Sequence, residues 1–193
     1  MEMTAALKLA LVSPEDYLAS EIDSPTKREY VAGTIHAMTG GTNNHAKIAR
    51  NILAALFKAL GDGPCEAFAS DVRIRIRNKR DIRFYYPDAS VICEQNPGHE
   101  LFQDHPVLVA EVLSPSTRRI DDGEKRDAYV TIPSLQYYLL VEQDSPVVVV
   151  YRRSETGFER QIISGLDQRI ELPALSISVS LADIFARISF VPE

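Results

Sequence analysis

Hydrophobic positions along this chain follow two periods. In "GGTNNHAKIARNILAALFKALG", Ile48, Ile52, Leu56 and Leu60 recur every four residues. That spacing predicts an amphipathic helix capped by Asn43 or Asn44 and ended by Gly61. "SPEDYLAS" predicts a shorter one, with Ser13 as cap, Pro14 in the first turn, and Glu15 and Asp16 at the positive end. Elsewhere the period is two. "REYVAGTIHAMT" reads as a hairpin turning near Gly33. "EAFASDVRIRIR" alternates strictly and predicts one strand, with Val72, Ile74 and Ile76 on one face and Arg73, Arg75 and Arg77 on the other. "NKRD" is a turn, "FYYPDASVICE" a second strand and "PVLVAEV" a third. "DDGEKRDAYVTI" predicts a short helix ending before Pro133. "QYYLLVEQ" and "PVVVVYRR" form a hairpin around Asp144, Ser145 and Pro146, "GFERQII" adds a strand, and "SLADIFARI" closes with a helix. This order predicts an α/β (α+β) fold, a mixed central β-sheet flanked by helices. The 193 residues suit one domain. The first helix and hairpin, about residues 13–40, extend it.

The third strand poses a problem. Val107 to Leu113 is apolar enough to be buried on both faces, yet it contains Glu111. An unpaired carboxylate there costs several kcal/mol. Alternation puts Glu111 on the face of Val109 and Leu113, pointing inward. A cation, a metal ion or a wet cleft must compensate it. Asp88 follows Pro87 at the start of the neighbouring strand, so the two carboxylates can share a divalent cation. Oxygen ligands suit Mg²⁺, with Mn²⁺ as an alternative, and such an ion can activate water against a phosphodiester. Lys125 lies one turn into the following helix. Ala128 and Tyr129 stand three and four residues on and share its face, so Lys125 leans toward the sheet, where it can stabilise phosphate charge.

Composition narrows the class. The chain is 45% hydrophobic and 25% charged, as soluble globular proteins are. A net charge of −6 argues against a protein coated in DNA-binding charge but allows a local basic patch. Arg73, Arg75 and Arg77, continued by Lys79, Arg80 and Arg83, are the candidate for tracking phosphates; a solvated strand face is the plainer reading. Asp71 shares the parity of the arginines and is a weaker site candidate. Cys65 and Cys93 lack metal-ligand spacing and read as reduced thiols of a cytosolic protein. "AALKLALV" is too short for a membrane span and lacks a secretory signal pattern. The expectation is a soluble, cytoplasmic protein without membrane contact.

"YYPDASVI" and "PVLVAEVLSPSTRRIDDGEKRDAYVTIPSLQYYLLVE", with "EYVAGTIHAMTGGTNNHAKI" upstream, resemble the Uma-two family of endonucleases, formerly a domain of unknown function. The resemblance runs from about Pro14 to Tyr151, and "EVLSPST…D…K…Y" is its specific part. It implies a restriction-endonuclease-like fold of the PD-(D/E)XK class and Mg²⁺-dependent cleavage of nucleic acid. On that mapping Asp88 and Glu111 are the catalytic, metal-binding acids. The general pattern wants lysine two residues after the second acid, where this chain has Leu113. Lys125 resembles a lysine that has migrated to the helix. Glu29 and His45 match a glutamate and a histidine of the family and are secondary candidates.

The leading expectation is therefore a Mg²⁺-dependent endodeoxyribonuclease with DNA as substrate, acting as a homodimer by analogy with nucleases that cut both strands. One rival is a nuclease-fold module that binds nucleic acid, or another partner, with weak or no catalysis. The other is a structural protein whose polar trio is a satisfied buried network.

Overall fold

The computed structural model describes residues 11–79 and 81–190. Arg80 and most of the N-terminal "AALKLALV" lie outside them. Helix α1 (Pro14–Ile22) begins as its sequence predicts, with the Ser13 side chain accepting from the Asp16 amide. Strands β1 (Arg28–Val31) and β2 (Thr34–Ala37) form the hairpin. Its turn needs positive φ at Ala32 and Gly33, 50° and 96°, which glycine adopts without strain. Helix α2 (Asn43–Leu60) is capped by Thr42 rather than by Asn43 or Asn44: the Thr42 hydroxyl accepts from the His45 amide. Gly61, with φ 55°, ends it.

The alternating stretch after α2 is two strands, not one. β3 (Glu66–Ala69) pairs with β6 (Ala89–Ile92), whereas β4 (Arg73–Arg77) pairs with β5 (Ile82–Tyr85). The turn between β3 and β4 carries the chain from one sheet to the other. "FYYPDASVICE" splits likewise, because Pro87 has no N–H for a ladder and separates β5 from β6. The remaining strands are β7 (Phe102–Gln103), β8 (Pro106–Val112), β9 (Tyr137–Val141), β10 (Val147–Ser154), β11 (Gly157–Ser164), β12 (Arg169–Leu172) and β13 (Ile177–Ser180). The segment between β8 and β9 holds a wide π-helical turn, Ile120–Lys125, running into helix α3 (Arg126–Tyr129). The closing helix α4 is only Leu181–Ile184.

Six strands form a mixed sheet ordered β11-β10-β9-β8-β6-β3, in which β8 and β9 are parallel. Five others form a second sheet, β2-β1-β5-β4-β7, and β12 pairs with β13. Alternation sorts the residues of β8 between two cores. Leu108, Ala110 and Val112 join Ile48, Ile52 and Leu56 of α2, together with α4. Val109 and Leu113 join Ile74, Ile76 and Tyr85 of the second sheet, together with Tyr129 of α3. Glu111 has the parity of Val109, so it lies between the sheets, as the sequence requires. Tyr17, Tyr30, Phe84 and Phe102 form a third core under α1.

Cys65 and Cys93 are joined as a disulfide, contrary to the expectation of free thiols. The β3–β6 pairing brings them together: Glu66 opposes Ile92, and the cysteines are the next residues outward. They are 28 residues apart in sequence, so spacing alone gave no sign of it.

Candidate active site

Glu111 is buried, and its Oε1 faces the Lys125 ammonium at 3.3 Å. The Tyr129 hydroxyl donates to the same oxygen at 3.4 Å. Lys125 also contacts Glu29 Oε1 at 2.9 Å and Asp121 Oδ1 at 3.5 Å. Glu29 is fixed in turn by the Tyr86 amide, which donates to it. One cation thus sits among three carboxylates. Burial alone would lower the Lys125 pKa, but Glu111, Glu29 and Asp121 outweigh it and hold the ammonium protonated well above its usual range. Burial pushes the Glu111 carboxyl well up against the pull of Lys125, and Asp121, Asp88 and Glu29 push it further. Asp121 is raised for the same first reason, its burial, against Lys125 and Thr117.

Asp88 precedes β6 and stands one rung beyond the Ala89–Ala110 pair, opposite Glu111. Its Oδ2 accepts from the Val112 amide at 2.7 Å and lies 3.3 Å from His45 Nε2. The hydrogen bond with Asp88 raises the His45 pKa against the lowering effect of burial, and a further bond to the Val112 backbone adds to it. His45 therefore braces Asp88 from the first turn of α2. Gly41 makes room for the ring, since a Cβ there would lie 2.8 Å from His45 Cγ.

Beside this cluster opens a cleft of about 360 Å³, floored by Glu29, Tyr85 and Lys125. Residues 36–39, leaving β2, make one wall; Ser116, Thr117, Ile120, Asp121 and Glu124 make the other.

The structure thus brings together Asp88, Glu111, Lys125, Glu29 and His45. It leaves Asp71 outside, 81% exposed and paired with Lys27 at 2.6 Å. The arginine stripe is largely engaged within the molecule. Arg73 is buried, contacts Glu21 at 3.2 Å and stacks over Tyr86. Arg75 makes two hydrogen bonds to Asp104. Arg77 remains exposed. Asp121 and Tyr129 belong to the "D…K…Y" run, yet the sequence reading gave neither a role in the site. The spacing of Asp121 four residues before Lys125 is the signal that points to it.

Among the described residues, no group of three or more His, Cys, Asp or Glu is arranged to hold a metal ion. Mg²⁺ does not require one: it is bound through one or two carboxylates, with water and substrate oxygens completing the shell. Asp88 and Glu111, opposite one another in the register of β6 and β8 and among more acids than cations, supply two carboxylates of that kind.

The profile of the Uma2 family, described as "Putative restriction endonuclease", matches residues 14–183. The chain belongs to this family. It is 35% identical over 180 residues to "Uncharacterized protein slr1290" of Synechocystis sp., covering 93% of this chain and 94% of that one. It is 34% identical over 136 residues to "Uncharacterized protein sll1609" of the same organism, covering 69% and 76%. A solved structure described as "a putative nuclease belonging to DUF820" from Anabaena variabilis superposes with a TM-score of 0.68 at 20% identity, over 88% of this chain and 97% of that one. That likeness shows a shared fold, the restriction-endonuclease-like one. Among the described residues, no helix is long and apolar enough to cross a membrane.

Proposed function

We propose that this protein is a Mg²⁺-dependent endonuclease that hydrolyses phosphodiester bonds in DNA. The observation that carries the reading is the excess of carboxylates over cations in this cluster: Glu29, Asp88, Glu111 and Asp121 around Lys125 and His45. A structural ion pair needs no such excess, and the family assignment supports a nuclease. Asp88 and Glu111 would hold the ion, which supplies Lewis-acid activation of the phosphodiester when bound. Lys125 stays charged across the neutral range. It therefore serves as a fixed positive charge for the developing phosphate charge, not as a general base. His45 orients Asp88, and Glu29 and Asp121 hold the ammonium in place. Mn²⁺ would serve the same donor set. A homodimer that places two such sites on opposite strands, in the cytoplasm, completes the proposal.

The test is cleavage of plasmid and oligonucleotide DNA with Mg²⁺ or Mn²⁺, by the wild type and by Asp88→Asn and Glu111→Gln. Metal-dependent cleavage by the wild type, lost in both folded variants, is expected. A folded wild type that binds DNA but never cleaves it would favour the rival reading, a nuclease-fold binding module.

A further inference from the structure

The cleft beside Lys125 differs in chemistry from the carboxylate pair. Three carboxylates border it, Glu29, Asp121 and Glu124. The ammonium on its floor is already engaged by Glu29, Glu111 and Asp121. A phosphate entering this space, away from a metal ion held by Asp88 and Glu111, meets more carboxylates than ammonium groups. Its walls carry an apolar strip, Val31, Ala37 and Met38 on one side and Ile120 on the other, among the polar His36, Thr39, Ser116 and Thr117. Ile120 is 46% exposed, a large apolar side chain left uncovered at the rim. Glu124 is half exposed, and its Oε1 is oriented by the Tyr85 hydroxyl at 3.1 Å and by Arg83 at 3.3 Å. It is a positioned acceptor facing an apolar slot.

We propose that this cleft receives one unpaired nucleobase of the substrate, so that the enzyme acts on single-stranded or locally unpaired DNA. The proposal rests on the nuclease reading and names its substrate class. At about 360 Å³ the space lies at the small end of ligand pockets and suits one base, not a duplex. A neutral planar base passes the acidic border that turns a phosphate away. Apolar walls take its faces, and a carboxylate accepts hydrogen bonds from an exocyclic amino group, as Glu and Asp do from cytosine. A base inside a duplex cannot reach such a slot without leaving its stack. The cleft shares Lys125, Glu29 and Asp121 with the carboxylate cluster, so it adjoins the proposed metal-binding pair.

The experiment uses the full-length protein and a single-stranded oligonucleotide carrying one 2-aminopurine, with its perfect duplex as control. Affinity and 2-aminopurine fluorescence are read in Ca²⁺, and cleavage is read separately in Mg²⁺. The wild type is expected to bind the single strand at least tenfold more tightly than the duplex and to change the probe's fluorescence. Met38→Trp, which fills the slot, is expected to lose both effects. Ala37→Trp at the exposed rim repeats the test should Met38→Trp fail to fold. Equal affinity for both forms, or a Trp variant that binds and quenches like the wild type, would overturn the proposal. Duplex cleavage together with that result leaves the nuclease reading standing. Pocket binding without cleavage of any oligonucleotide sinks the nuclease reading alone.

Discussion

Glu21 and Lys125 are both buried charges that tie α1 or the π-helical turn to the second sheet, but their surroundings have opposite proportions. Glu21 is one carboxylate between two guanidiniums, Arg28 at 2.6 Å and Arg73 at 3.2 Å, with the Tyr86 hydroxyl donating to it as well. Burial would raise its pKa, but these three hydrogen bonds outweigh it and hold the carboxyl below its usual range. Lys125 is one ammonium among three carboxylates, two of which are pushed up. The first cluster is complete in itself. The second is short of positive charge and becomes complete only by taking up protons or a cation. Position in the fold does not separate them, since β1 supplies Arg28 to one and Glu29 to the other. Charge balance does, and on that ground we propose the second as the site of chemistry.

Breaking each cluster should reveal the asymmetry. Lys125→Met removes the only ammonium among the three acids, and loss of one partner from a buried pair costs about 3–5 kcal/mol. The penalty should be largest near neutral pH. It should shrink as pH falls, beginning above the ordinary values of these carboxyls, because Glu111 and Asp121 are both raised. Glu21→Gln should cost less, about 1.5–3 kcal/mol for lost charged hydrogen bonds. Its window is also different. A lowered folded pKa gives stability that is present above 4.5 and lost only as pH falls through the folded value. Urea denaturation of both variants between pH 4 and pH 8 reads both windows. Coincident windows would erase the distinction.

A smaller effect sharpens the same contrast. Glu111 binds its proton more tightly folded than unfolded, so the metal-free wild type should lose stability as pH rises above 4.5. One proton gives at most about 1.4 kcal/mol per pH unit. Glu111→Gln should flatten that slope in urea midpoints and be no less stable than the wild type at neutral pH. The smallest effects belong to the surface. Asp71→Ala should change stability by no more than about 0.5 kcal/mol and leave metal binding alone. Arg77→Ala should lower the slope of log affinity against log salt for DNA by about one at most. A loss of cleavage in Asp71→Ala would return that residue to the site.

Elements with a strong period were legible in the sequence. The fourfold spacing from Ile48 and the stop at Gly61 fixed α2, and the alternation around Val109 placed Glu111 between the sheets. The same alternation misled at "EAFASDVRIRIR", because an alternating pattern can continue across a turn that moves the chain to another sheet. That Asp88 and Glu111 stand on neighbouring strands was legible, because one follows Pro87 at the start of β6 and the other interrupts the apolar run of β8. The arginine stripe could not be resolved, since period two says which residues share a face but not that Glu21 and Asp104 will occupy Arg73 and Arg75. Asp121 was legible through its spacing four residues before Lys125, although the turn that carries both is π-helical. The Cys65–Cys93 bridge depends on strand pairing across 28 residues and left no local signal.

The most direct test of the charge-deficient site is calorimetric titration of Mg²⁺ into the wild type, Asp88→Ala and Glu111→Gln at neutral pH. It should be run with and without a DNA oligonucleotide, in two buffers of different ionisation enthalpy. A charge-deficient site in the wild type should bind Mg²⁺ with release of protons, and both variants should fail to bind. A wild type that takes up no Mg²⁺ even with DNA present, or variants that bind as it does, would contradict it.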